Sequence, residues 1–133
     1  MSALAVSISK TITEILFQDA EFVFLMGSSE TDRFHEDSDI DIAVFWKSSC
    51  PTEKINLSRQ MLEDKLKRDI DLISLNTIDV IYARQVLETG RLLVNNSPGI
   101  LLNWKMEQLA NYPDFKMSRK IIEDNILNRK KYV

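Results

Sequence analysis

Apolar residues in the first segment fall at Ile8, Ile12, Ile15 and Leu16, the spacing of one helix face, and predict an amphipathic helix over residues 8–17 with Ser7 or Ser9 as its cap. Phe22 to Met26 is a short, wholly apolar run that stops at Gly27-Ser28, as a buried strand entering a tight turn would. Residues 29–38 are polar and charged and read as a loop or short helix. Then the period changes. Ile40, Ile42 and Val44 alternate with Asp39, Asp41 and Ala43, which puts the aliphatics on one face of a strand and both aspartates on the other.

After a loop around Ser48 to Thr52, Leu57, Met61, Leu62 and Leu66 return to helical spacing, and Ile70 to Leu75 reads as a third strand carrying Asp71. Ile78, Ile81, Tyr82 and Leu87 mark another helix, which Gly90 is expected to end from the C′ position, and Leu92 to Val94 forms a short fourth strand. Pro98-Gly99 reads as a break before the apolar stretch Ile100 to Trp104, and Tyr112-Pro113 as a second break before a polar helix carrying Ile121, Ile122 and Ile126. Helices and strands alternate through residue 94, which predicts an α/β (α+β) fold with one mixed sheet and helices against it. The expected organisation is a single domain over residues 1–133, with a core of about 1–95 and a helical C-terminal arm of about 98–133.

Composition narrows the function classes. A chain of 133 residues supports one compact core, and a net charge of -3 gives no electrostatic basis for general nucleic-acid binding. The charge is uneven. Residues 1–103 are net -6, whereas residues 104–133 are net +3. Lys116, Arg119, Lys120, Arg129, Lys130 and Lys131 supply a basic face suited either to the acidic body or to an acidic partner, with Tyr112 to Phe115 as an apolar anchor. One cysteine, Cys50, and one histidine, His35, exclude an internal disulfide and a Cys/His zinc cluster. No run approaches the ~20 apolar residues that span a bilayer, and a cytoplasmic setting is expected.

The candidate chemistry rests on three aspartates. Residues i and i+2 of a strand point the same way, roughly 6–7 Å apart, so Asp39 and Asp41 form a pair that Asp71 on the next strand can join. Carboxylates so placed repel one another unless a cation lies between them, and magnesium meets that need while bridging to phosphate oxygens. Phosphoryl-type transfer is mainly positioning and charge neutralisation, which such ions serve. At Gly27-Ser28 the glycine permits close backbone approach, and N–H groups with the Ser28 hydroxyl can donate to phosphate. Ser38 is a secondary candidate for metal or phosphate binding. His35 reads as a solvated side chain, and Trp46 and Trp104 as packing aromatics.

Gly27-Ser28, ten intervening residues and Asp39-Ile40-Asp41 resemble the GS-x10-D-x-D signature of the DNA polymerase beta-like nucleotidyltransferase superfamily. Asp69-Ile70-Asp71-Leu72-Ile73 resembles the strand that supplies the third carboxylate there, with Asp71 as the match and Asp69 as the alternative on the same strand face. In length the chain is similar to the minimal nucleotidyltransferase (MNT) group, and Gln85 to Val94 and Tyr112 to Arg129 look like the corresponding parts of it. The resemblance implies metal ligation by Asp39, Asp41 and Asp71, two Mg2+ ions, and a nucleoside triphosphate, ATP, held with the help of Gly27, Ser28 and Ser38. It also implies a HEPN-domain toxin as partner, from a neighbouring gene, silenced when the antitoxin attaches AMP to it. One departure stands out: where many members follow the turn with a small residue, an Arg and a second Gly, this chain has Glu30, Thr31 and Asp32, with Arg33 nearby. The alternative reading is therefore a catalytically weak or inactive antitoxin of this fold that neutralises its partner by binding and masking, and a weaker third is transfer to a small molecule or RNA.

Overall fold

The computed structural model describes residues 3–26 and 39–110. Within them the chain runs α1 (Ala3–Leu16), β1 (Ala20–Leu25), β2 (Ile40–Trp46), α2 (Thr52–Leu66), β3 (Ile70–Ser74), α3 (Val80–Thr89), β4 (Arg91–Asn95) and α4 (Pro98–Ala110). The four strands form one mixed sheet in the order β3-β2-β1-β4. β1 pairs antiparallel with β2 and β4, and β2 runs parallel to β3.

Side-chain alternation sorts the core into two layers. On one face, Val23, Leu25, Ile40, Ile42 and Val44 pack with Ile8, Ile12 and Leu16 of α1 and Leu62 of α2. On the other, Phe22, Phe24 and Ala43 meet Ala83 and Val86 of α3 and Leu101 and Trp104 of α4. The sheet is thus covered by helices on both sides, which is why β1 and β2 read as nearly continuous apolar runs. Trp46 and Trp104 are both buried, as expected of packing aromatics, and the Phe22 ring lies between Phe45 and Trp104 at centroid distances of 4.9 and 5.5 Å.

Several local expectations need correction. α1 already runs at Ala3, so Ser7 and Ser9 do not cap it; their carbonyls accept the hydroxyls of Thr11 and Thr13 from inside the helix. α2 buries Ser58 and Leu62 and turns Leu57 and Met61 outward. Gly90 ends α3, but with extended backbone (φ -76°, ψ 147°) rather than in the left-handed conformation. A side chain there would collide with the Val86 carbonyl, 2.6 Å from an added Cβ, so close packing rather than φ requires glycine. Pro98-Gly99 opens α4 instead of breaking the chain, because a first-turn proline has no intrahelical N–H bond to lose. The expected helix beyond Tyr112 lies outside the described residues.

Candidate functional site

Asp39 immediately precedes β2 and Asp41 is its second residue. Besides the ladders with β1 and β3, three backbone bonds tie β2 into the sheet: Met26 N donates to Asp41 O at 3.0 Å, Ile40 N to Asp69 O at 3.0 Å, and, further along, Leu75 N to Val44 O at 2.8 Å. Ile40 and Ile42 are buried against α1 and α2, which commits Asp41, between them, to the α3/α4 face. The parallel register pairs Ile40 with Ile70, Asp41 with Asp71 and Ile42 with Leu72. Partners in a parallel pair share a face, so the Asp71 carboxylate stands beside that of Asp41. Asp69 meets β2 through its backbone carbonyl, which ties it to Ile40.

Asp39, Asp41 and Asp71 all reach solvent at this end of the sheet. Asp41 nevertheless has its carboxyl pushed above the ordinary carboxylate value, first because the packed sheet and helices strip part of its hydration, then because Asp71 and Asp39 add like charge. That is the signature expected of clustered anions without a counter-ion. Among the described residues no three His, Cys, Asp or Glu side chains converge into a group that could hold a metal. Asp39, Asp41 and Asp71 suit a hard cation in donor chemistry, but they stand as electrostatic neighbours and not as a converged ligand set.

Sequence reasoning used Tyr82 only as a marker of α3, yet it belongs to this face. Asp79 caps the helix, accepting from Tyr82 N at 2.8 Å, and the Tyr82 ring packs against the Phe22 and Phe24 cluster. Burial pushes its phenol above the ordinary value, and the charges of Asp41 and Asp71 add to the effect. The signal in the sequence was the short β3-to-α3 link, which places the first turn of the helix near the strand that carries Asp71. Gly27, Ser28 and Ser38, with Glu30 to Arg33 and His35, lie outside the described residues.

Residues 10–99 match the family described as polymerase beta, nucleotidyltransferase. The chain belongs to this nucleotidyltransferase family. Among individual proteins, it is 26% identical over 111 residues to the protein adenylyltransferase MntA of Shewanella oneidensis, covering 80% of this chain and 76% of that one. In three dimensions it is similar to a chain of a toxin–antitoxin crystal structure with AMP-PNP, with a TM-score of 0.67, 23% identity, and coverage of 90% of this chain and 98% of that one. A second similar structure contains a tri-AMPylated Shewanella oneidensis HEPN toxin with an MNT antitoxin, with a TM-score of 0.64, 21% identity, and coverage of 92% and 98%. The nucleotidyltransferase fold is therefore shared along nearly the whole of those chains. The mixed sheet and flanking helices expected from sequence agree with it. Among the described residues no helix is long and apolar enough to cross a membrane.

Proposed function

We propose that this nucleotidyltransferase transfers AMP from ATP to a hydroxyl of a HEPN-domain toxin and thereby acts as its antitoxin. The observation that carries the reading is the register of Asp41 against Asp71 on one solvent-reaching sheet face, with Asp39 beside them, in a chain of this family. The similarity to a protein adenylyltransferase, and to an antitoxin found with an AMPylated toxin, supports the acceptor class. Similarity to a structure containing AMP-PNP supports an adenine nucleotide as donor.

In this reading Asp39, Asp41 and Asp71 would hold magnesium, which would supply charge neutralisation for the triphosphate. Rigid strands fix the carboxylates: β2 and β3 are hydrogen-bonded in parallel register, so the distance between the two anions is set by the sheet and not by loop motion. Gly27, Ser28 and Ser38 contribute donors to phosphate oxygens. The acceptor oxygen attacks the α-phosphorus, a new O–P bond forms, pyrophosphate leaves, and the acceptor proton passes to a carboxylate of Asp71 or to water.

Mass spectrometry of the HEPN partner after co-expression tests the reading. Added AMP with the wild-type chain, and none with the Asp39→Asn, Asp41→Asn double variant, is expected. Glu30, Thr31 and Asp32 favour a second reading, in which the chain masks the toxin without chemistry, because acidic side chains near a triphosphate oppose its binding. A double variant that still protects cells from the toxin would support masking.

A further inference from the structure

The face that presents Asp41 carries a polar group the proposed chemistry does not use, the hydroxyl of Tyr82. The residue is anchored at both ends. Its backbone N is fixed by the Asp79 carboxylate at 2.8 Å, and its half-buried ring rests on the cluster containing Phe22, Phe24, Ala43 and Leu75. Ala43 is two residues from Asp41 on the same strand, so the ring lies against the same face as the carboxylates. Burial, and after it the charges of Asp41 and Asp71, push the phenol above its ordinary value, in keeping with a neutral O–H donor on this face.

We infer that Tyr82 is a nucleotide-contacting residue, its hydroxyl donating a hydrogen bond to a phosphate oxygen of the triphosphate seated over Asp41 and Asp71. The inference rests on the reading of that site as the triphosphate site. Two features favour phosphate over the other reactant. Two carboxylates repel a phosphate at close range, and a donor held on the same wall offsets part of that repulsion without adding charge. The Asp79 cap and the packed ring hold the donor in place before the ligand arrives, so little conformational freedom is lost on binding.

Equilibrium binding of AMP-PNP with magnesium to the full chain, by calorimetry, tests this with Tyr82→Phe and Tyr82→Leu. Tyr82→Phe removes one oxygen and leaves the packing, so its melting temperature should match wild type while Kd rises about tenfold, the scale of one hydrogen bond to a charged group. In transfer to the partner, the same variant should raise KM for ATP with kcat little changed. Unaltered AMP-PNP affinity in Tyr82→Phe overturns the inference, including the case where only Tyr82→Leu weakens binding, since the ring alone would then matter. Wild-type chain that binds no AMP-PNP overturns both this inference and the function it rests on. Wild-type binding that Asp41→Asn abolishes and Tyr82→Phe leaves intact overturns the Tyr82 contact alone.

Discussion

Asp41 and Asp71 are direct register partners across the parallel β2/β3 pair, so two carboxylates leave one sheet face side by side. Buried aliphatic neighbours on both strands hold that arrangement: turning Asp41 away from Asp71 would expose Ile40 and Ile42, both of which are buried.

This juxtaposition costs stability when no cation is present. The folded state raises the Asp41 carboxyl above its ordinary 3.8, so between 3.8 and the folded value the native chain holds a proton that the unfolded chain has released. Its contribution therefore declines as pH rises from 3.8 through the folded value, and at neutral pH the charged Asp41 is a standing penalty. Asp41→Asn should raise the melting temperature of metal-free protein at pH 7, by a screened gain on the order of 2 °C. That gain should vanish below pH 3.8, where the carboxyl is protonated in both states. Added magnesium should raise the wild-type melting temperature and move that of the variant less. Thermal melts at the two pH values check both statements.

At Gly90 the predicted cost is steric. An added Cβ would lie 2.6 Å from the Val86 carbonyl oxygen and 3.0 Å from Met26 Sδ; the sulfur can give way, but the carbonyl belongs to the helix. Gly90→Ala should destabilise the protein by about 1–3 kcal/mol in urea unfolding, although its backbone angles suit any residue.

The same glycine shows where sequence reading reached its limit. Helical spacing and a following glycine located the end of α3 correctly, but the left-handed terminus was an inference from helices in general, whereas the observed reason is the Val86 carbonyl 2.6 Å from an added Cβ, with Phe24 of β1 and Met26 just past its end closing the space beyond. Ser7 and Ser9 misled for a related reason. Leu4 and Val6 are exposed and lie off the buried stripe, so the helical pattern seemed to begin only at Ile8, and small Ala5 extended it unnoticed. The strand pattern was more legible because a period of two, with aliphatics on one side, fixes which face each aspartate takes. Register between β2 and β3 was not readable from spacing, and it is what brings Asp71, rather than Asp69, beside Asp41. Tyr82 escaped notice as a site residue because an aromatic at helical spacing looks like core, and its ring is indeed packed there.

α2 ends on Lys67 in the left-handed conformation (φ 55°), with its N–H bonded to Glu63 O at 2.9 Å. A lysine pays a steric cost there that glycine does not, partly offset by the larger freedom glycine has in the unfolded chain. Lys67→Gly should stabilise the protein by about 0.5–1 kcal/mol, read as a higher urea midpoint with an unchanged slope.

Removing the cap of α3 should act on the site as well as on stability. Asp79→Ala deletes the acceptor for Tyr82 N and should cost about 1 kcal/mol. Because that bond positions the first turn of α3, the variant should also bind AMP-PNP more weakly than wild type, whereas Asp79→Asn should retain both properties. Parallel unfolding and binding curves separate the two effects.

The central claim is that the aspartates of β2 and β3 carry out nucleotidyl transfer to a protein hydroxyl. Its most direct test is incubation of the purified chain with radiolabelled ATP, magnesium and the HEPN-domain product of the neighbouring gene. Single Asp39→Asn, Asp41→Asn, Asp71→Asn and Asp69→Asn variants should be run alongside. The account predicts label on the partner with wild type and Asp69→Asn, and loss of at least about a hundredfold in rate, roughly 2.7 kcal/mol of transition-state stabilisation, for each of the other three. Equal labelling by wild type and Asp41→Asn, or a stable complex that never labels, would contradict it.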